Sequence, residues 1–162
     1  MARLTLSTPA DVRVLTSGLS AGEALAAFNA ANPQAGGIAS FVGKVRPDGN
    51  VKALELTHYE PLTLSGMEAL AASAQQRFAL DGVLAWHRVG TMQPGEAIVL
   101  VAAAARHRRG ALDAVDYLMD HLKSRSWFWK RERRADGWHW IAPRADDHAS
   151  LAAWEATEIH TI

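Results

Sequence analysis

Two periods of hydrophobic positions divide the chain into strands and helices. Apolar residues at every second position, or short apolar runs between turn residues, are typical of β-strands, whereas spacings of three and four are typical of amphipathic helices. The strand patterns cover residues 11–16, 38–45, 51–59, 83–89, 96–105, 127–134 and 138–141. The helix patterns cover residues 21–31, 64–78, 111–125 and about 148–156.

The same pattern predicts helix ends and core-facing stripes. Ser20 and Glu23 have the spacing of a capping box, in which each side chain satisfies a free backbone donor at the helix start. The predicted stripes contain Leu25 and Phe28 in the first helix, Leu64, Met67, Ala71, Ala74 and Phe78 in the second, and Leu112, Val115, Met119 and Leu122 in the third.

Turn residues predict how the strands pair. The turn sequence at 47–50 predicts that the second and third strands form a hairpin. Asp136 and Gly137 predict a closing hairpin near the end of the chain. The order β-α-β-β-α-β-β-α-β-β, followed by a short helix, indicates an α/β (α+β) domain with a mixed, largely antiparallel sheet. We expect the whole chain, residues 1–162, to be a single domain.

Composition excludes several classes of protein. Apolar residues make up 49% and charged residues 21% of the chain, as in ordinary globular proteins, and no apolar run reaches the roughly 20 residues of a membrane span. The first residues lack the apolar core of a signal peptide, so we expect a cytoplasmic location. The absence of cysteine excludes disulfides, thiolate metal sites and a cysteine nucleophile. Any sulfur that the protein handles must therefore arrive on another molecule.

Charge is unevenly distributed along a chain whose net charge is zero. Residues 101–134 contain nine Lys or Arg and four Asp or Glu, which makes this segment +5 and the remainder −5. A local basic patch on a neutral protein favours a discrete anionic ligand over a nucleic-acid backbone, although a solvated, charged helix face would have the same composition.

Two lysines in the basic segment, Lys123 and Lys130, are candidates for chemistry. Cations close to a lysine favour its neutral form, and a neutral lysine can act as a nucleophile or general base. The aromatic residues 127–129 could supply a partly dry wall, or could be core residues. The alternative for Lys123 is a surface ion pair with Asp120 at the end of a helix.

A second candidate is the pair His107 and Arg108, which lies between the most apolar strand and the third helix. Such a junction brings side chains and free backbone N–H groups to one rim, where anions bind. The remaining histidines have neither metal-ligand spacing nor an accompanying carboxylate cluster, so the sequence predicts no metal site.

The motifs of the chain resemble those of one family, the large catalytic subunit of molybdopterin synthase, over residues 12–154. The family's Phe-Val-Gly-x-Val-Arg strand resembles Phe41–Arg46, its His-Tyr strand end resembles His58–Tyr59, and its His-Arg-x-Gly…Pro-Gly-Glu hairpin resembles 87–90 with 94–96. Further matches in order and spacing are His107–Arg108, Met119–Asp120, Leu122–Lys123, Trp129–Lys130 with Glu132, and Trp140–Ile141 with Arg144.

The resemblance implies an α/β hammerhead-type fold with an added antiparallel subdomain, and a sulfurtransferase activity. Members of the family convert cyclic pyranopterin monophosphate into the dithiolene molybdopterin. The sulfur comes from the C-terminal thiocarboxylate of a small ubiquitin-like carrier subunit that ends in Gly-Gly. The resemblance also implies a homodimer of large subunits within a heterotetramer, no bound cofactor and no contact with nucleic acid or membrane.

Site residues follow from the matching positions. Lys123 is the leading catalytic residue, which would activate the substrate or attack the carrier's acyl group, and Lys130 would stabilise negative charge and hold the carrier tail. The substrate-binding residues implied are Arg46, His107, Arg108 and Arg144 for the phosphate and pterin, with Phe41 and Met119 as the pocket wall.

Three departures from the family pattern bear on this assignment. The segment Glu60–Met67 is longer than the family's turn, and Trp127 replaces a common proline; Thr57 also stands where an acidic residue is common. We expect these changes to affect substrate fit or carrier docking. The alternatives are a non-catalytic scaffold that binds carrier or pterin, against which both lysines argue, and a single-stranded nucleic-acid binder, against which the neutral net charge argues.

Overall fold

Two four-stranded sheets and four helices form the fold. The computed structural model describes residues 8–125, 127–142 and 145–158. The strands are β1 (Asp11–Leu15), β2 (Gly37–Lys44), β3 (Ala53–His58), β4 (Gly82–Arg88), β5 (Gly90–Met92), β6 (Ala97–Ala105), β7 (Phe128–Arg134) and β8 (Gly137–Ile141). The helices are α1 (Ala21–Ala31), α2 (Leu62–Arg77), α3 (Arg108–Ser124) and α4 (Ala145–Glu158).

The first sheet has the order β1-β4-β6-β2 and carries helices on both faces. β1 is parallel to β4, whereas β6 is antiparallel to both of its neighbours. β6 is buried on both faces from Val99 onwards, which explains its continuous apolar sequence. Its four consecutive alanines at 102–105 leave room for close helix packing, with Ala111 and Ala114 of α3 in the same core cluster.

The second sheet, β5-β3-β7-β8, is entirely antiparallel. One face packs on a small core of Val45, Leu54, Leu56 and Met92. The mixed sheet with an antiparallel subdomain and the closing β7–β8 hairpin are therefore confirmed. Within the described ranges, no helix combines the length and the apolarity needed to cross a membrane.

The predicted hairpin between residues 38–45 and 51–59 is wrong. β2 pairs with β6 in the first sheet, and β3 pairs with β5 and β7 in the second. Backbone hydrogen bonds hold each end of the linker between β2 and β3. Val45 N–H donates to the Glu96 carbonyl (2.9 Å), and Lys52 N–H donates to the Arg133 carbonyl (2.8 Å). Alternation identifies a strand but does not specify its partner.

Smaller predictions also need correction. Ser20 is the N-cap of α1 but makes no side-chain capping bond, so the capping box is wrong. Leu64 and Leu112, both placed on core-facing stripes, are 42% and 50% exposed. The short strand β5 was not predicted, because its three residues are too few for a visible alternation.

Candidate active site

Lys123 lies in the last turn of α3, on the exposed side of that helix. The ion pair with Asp120 is absent. The Asp120 carboxylate instead accepts a hydrogen bond from the Trp154 indole at 2.7 Å, which ties α4 to α3. Among the described residues, no hydrogen bond or ion pair holds the Lys123 ammonium. The amine is therefore available to an incoming group.

Lys130 is directed towards the same region by its strand register. It lies opposite Leu56 of β3 and Ile141 of β8, and directly opposed residues in an antiparallel sheet share a face. Leu56 is buried in the small core, and Ile141 packs against that core. Phe128, two residues earlier, shares this inner face. The inner face of β7 therefore presents Lys130 two residues after Phe128, whose ring stacks on His87 of the first sheet.

The aromatic residues between the two lysines have three different environments. Phe128 packs on both neighbouring core clusters, and Trp127 packs on the larger one. Trp129 is 46% exposed on the outer face of the sheet. Arg131, also on that face, lies over Trp138 (4.4 Å) and forms an ion pair with Glu55 (2.8 Å). Only Phe128 and Trp127 can therefore line the region between the lysines.

Two histidines of the family-like motifs, His58 and His87, were not predicted as site residues but lie in this region. The His87 ring stacks on Phe128, with centroids 3.8 Å apart, and its Nδ1 lies 2.9 Å from the Arg88 carbonyl. Burial lowers the pKa of His87 to about 4, the hydrogen bond to Arg88 opposes this shift, and the charges of His58 and Lys123 reinforce it. The imidazole is therefore neutral at physiological pH, beside the Lys123 ammonium. In the sequence, both histidines occur near strand ends and within motifs that resemble those of the family.

Phe41, Met119 and Arg46 lie on the α3 side of the first sheet or at its edge. Phe41 shares a face of β2 with Ala39, which packs against the α3 core, and its ring is 42% exposed. Met119 is buried one turn before Lys123. Arg46 is exposed just beyond the end of β2. α3 runs parallel to β2, because both are antiparallel to β6, so Arg46 and Lys123 lie at the same end of the sheet.

His107 and Arg108 lie at the opposite end. Gly37, where β2 begins, is next to Arg108, since a methyl group at Gly37 would be 3.5 Å from the Arg108 Cα. Arg108 and Lys123 begin and end the same helix, and fifteen residues at 1.5 Å each separate them by about 22 Å. Within one chain, His107 and Arg108 therefore do not reach the lysines. Arg144 lies outside the described residues.

A cleft elsewhere on the described part of the chain does not include the predicted site. A cleft of about 430 Å³ on the α1 side is lined by Lys44, Arg88 and Glu96 but by none of the predicted site residues. The described residues contain no group of three or more metal-ligating side chains placed to hold a metal ion. The region around Lys123 thus offers two amines, a neutral imidazole and an aromatic wall, which suits acyl transfer and the stabilisation of negative charge.

Comparison with known proteins identifies the family. The family model described as MoaE protein matches residues 15–125. The chain belongs to the MoaE family. It is 46% identical over 135 residues to a molybdopterin synthase catalytic subunit of Caulobacter vibrioides, covering 83% of this chain and 90% of that one. It is 40% identical over 147 residues to the corresponding subunit of Pseudomonas aeruginosa, covering 89% and 98%.

Solved structures agree with this family. A molybdopterin biosynthesis MoaE protein from Burkholderia ambifaria superposes with a TM-score of 0.77 at 40% identity, covering 90% of this chain and 98% of that one. A Helicobacter pylori complex of subunits 1 and 2 of molybdopterin-converting factor shares the fold, with a TM-score of 0.71, 21% identity and coverage of 82% and 91%. The chain is thus an enzyme subunit with the catalytic role in molybdopterin synthesis.

Proposed function

We propose that this chain transfers sulfur from the C-terminal thiocarboxylate of a small ubiquitin-like carrier to cyclic pyranopterin monophosphate, forming the dithiolene of molybdopterin. The observations that support the proposal are that the charge of Lys123 acts on the buried, neutral His87, and that Lys130 follows Phe128, which stacks on His87, by two residues on the same face of β7. Because the chain contains no cysteine, the sulfur must be carried by the partner.

The two lysines have distinct roles in this reaction. The carrier's sulfur forms a bond to a side-chain carbon of the pterin substrate as a C–O bond of that carbon breaks, and the oxygen leaves as water or as the freed ester oxygen of the cyclic phosphate. The bond between the sulfur and the carrier's acyl carbon then breaks. The acyl group passes to water, which restores a carboxylate tail, or to the Lys123 amine, which gives an amide that is later hydrolysed. Lys130 stabilises the negative charge that develops on the acyl oxygen and holds the tail. Two rounds of transfer supply the two sulfurs.

The proposed partners are the sulfur carrier and a second copy of this chain, because one chain supplies neither the sulfur nor all of the phosphate-binding residues near its lysines. Because glycine has no side chain, the Gly-Gly tail of the carrier suits a confined site, and the H. pylori complex of two subunits, which shares the fold, is consistent with such an assembly. The substrate phosphate needs arginines. Arg46 lies at the lysine end of the chain, and we assign His107 and Arg108 to the site of a second copy across a two-fold axis. With Arg144, Phe41 and Met119, they complete the substrate pocket of a heterotetramer that needs no bound cofactor.

The test is a reconstituted assay with thiocarboxylated carrier and cyclic pyranopterin monophosphate. We expect dithiolene product from the wild type and a loss of at least about a hundredfold in a folded Lys123→Ala variant. Lys52→Ala is the matched control, because Lys52 is exposed in the loop before β3, and it should keep full activity. No product from the wild type, despite tight carrier binding, would replace the proposal with a non-catalytic scaffold. Equal activity of wild type and Lys123→Ala would overturn the role of Lys123.

A further inference from the structure

The indole of Trp127 lies directly against the backbone of α2 at Gly66. A methyl group on Gly66 would be 2.4 Å from Cζ2, 2.5 Å from Cε2 and 2.8 Å from Nε1 of Trp127. Contacts this short do not occur between real side chains, so only glycine permits the ring to occupy this position. Glycine is otherwise unfavourable within a helix, and the indole accounts for its presence five residues into α2.

Trp127 also occupies a particular place in the chain. It follows Lys123 by four residues and precedes Lys130 by three. Its carbonyl accepts a hydrogen bond from the Tyr59 N–H at 3.1 Å, just after β3 ends. The short segment between the lysines is thus fixed to α2 through the Trp127 ring and to the end of β3 through its backbone.

A rigid anchor at this point affects both lysines together. The Trp127 side chain has only two rotatable bonds, so a displaced ring moves its backbone rather than folding away. Lys123 lies at the end of α3 and Lys130 near the start of β7, and Trp127 stands in the only covalent connection between these elements. A shift of the ring therefore changes the distance and direction between the two amines.

We propose that Trp127, seated on Gly66, is a positioning residue that sets the relative placement of Lys123 and Lys130. This inference rests on the proposed function for its catalytic consequence, but the contact itself does not. It also connects two departures from the family pattern, because Gly66 belongs to the unusual segment Glu60–Met67 and contacts the unusual Trp127.

The test enlarges the side chain at position 66 and reduces the one at position 127, first separately and then together. Gly66→Ala adds a methyl group under the ring and should lower the single-turnover rate of sulfur transfer about tenfold or more, while the Kd for the carrier stays within about twofold. Trp127→Phe shrinks the ring, and the double variant Gly66→Ala/Trp127→Phe should recover a substantial part of the rate lost in Gly66→Ala. Gly22→Ala is the matched control, since Gly22 is also helical but nothing lies within 4 Å of an added methyl group.

A second readout does not depend on turnover. The chain has four lysines, at 44, 52, 123 and 130. Limited acylation followed by mass spectrometry should show changed labelling rates at Lys123 and Lys130 in Gly66→Ala, with Lys44 and Lys52 unchanged as internal references. If the wild type makes no product but the labelling changes as expected, the proposed function fails and the positioning role stands.

Several results would overturn the positioning role. A folded Gly66→Ala variant with the wild-type transfer rate and labelling would do so, as would a double variant whose rate loss is the product of the two single losses. Circular dichroism establishes folding in each case. If Gly66→Ala does not fold, Trp127→Ala takes its place, because it removes atoms, and wild-type transfer and labelling in that variant would equally overturn the role.

Discussion

His87 and Phe128 stack nearly face to face, with ring centroids 3.8 Å apart and planes inclined by 15°. His87 belongs to β4 of the first sheet and Phe128 to β7 of the second, so this pair joins the two sheets beneath the candidate lysines. With Nδ1–H donating to the Arg88 carbonyl, the other ring nitrogen, Nε2, keeps its lone pair. The junction therefore depends on an uncharged imidazole.

The pH dependence of stability follows from this pair. The pKa of His87 is lowered from 6.5 to about 4 in the folded protein, mainly by burial. Between these values the unfolded chain binds the proton and the folded chain does not, so acidification favours unfolding. The stability that neutral His87 contributes is complete above about pH 6.5 and decreases as the pH falls towards 4, by about 3 kcal/mol in total.

Urea unfolding of wild type and His87→Asn at pH 7, 5.5 and 4.5 measures this contribution. Asparagine keeps a donor near the Arg88 carbonyl but does not titrate, so the variant should be less stable at pH 7 and should lose less stability on acidification. His107→Asn, which removes an exposed histidine, should follow the wild-type slope. Parallel slopes for wild type and His87→Asn would mean that His87 is not the titrating group.

The ion pair between Arg88 and Glu96, at the turn before β6, should stabilise the folded protein. The Arg88 guanidinium is 9% exposed and donates to Glu96 at 2.9 Å, while its Nε has no partner among the described residues. The Gln93 N–H and then Arg88 lower the pKa of Glu96. Because Glu96→Gln leaves a buried charge without its counter-ion, it should lower the urea midpoint more than Asp11→Asn, which affects an exposed pair. Equal shifts would contradict a structural role.

Local pattern predicted most elements of the fold, with small errors such as the capping box at Ser20, whereas the wrong strand pairing concerns contacts between distant residues. The apolar run of β6 and the β7–β8 hairpin depend on neighbouring residues, and both are present. The partners of β2 and β3 are residues about thirty-five to eighty positions away, which no local alternation encodes.

The same distinction applies to the site. Lys123 and Lys130 could be grouped because they are seven residues apart. The contact between Gly66 and Trp127 spans sixty-one residues and has no charge or periodicity to indicate it. The resemblance to the family placed His107 and Arg108 in one site with the lysines, but a seventeen-residue helix separates them from the lysines along its axis.

Gly36 should be essential for the junction between β6 and α3. Its N–H donates to the Ala105 carbonyl at 2.9 Å, and a methyl group on it would lie 2.0 Å from the Arg106 carbonyl oxygen. Backbone cannot rotate away as a side chain can, so Gly36→Ala should cost at least about 2 kcal/mol of stability. Gly49→Ala, where the added methyl group meets nothing within 4 Å, should change stability by no more than about 0.5 kcal/mol. Thermal unfolding compares the two, and equal melting temperatures would contradict the prediction.

A site shared between two copies predicts complementation between inactive variants. Arg108→Ala and Lys123→Ala should each be inactive alone, because every site in either homodimer lacks one group. In a mixed dimer, one site has lost both groups and the other keeps Lys123 from one chain and Arg108 from its partner. Mixing the variants with subunit exchange should therefore restore activity, to about a quarter of the wild-type rate, because random exchange makes half of the dimers mixed and each mixed dimer has one intact site.

The control for this complementation is a mixture of Lys123→Ala with Lys130→Ala. Because we assign both lysines of one chain to the same site, a mixed dimer of these variants should have a defect in each of its sites and should stay inactive. If His107 and Arg108 instead served the lysines of their own chain, the mixture with Arg108→Ala would stay inactive as well. The two mixtures together thus decide whether the 22 Å between Arg108 and Lys123, about the length of α3, is bridged by a second copy.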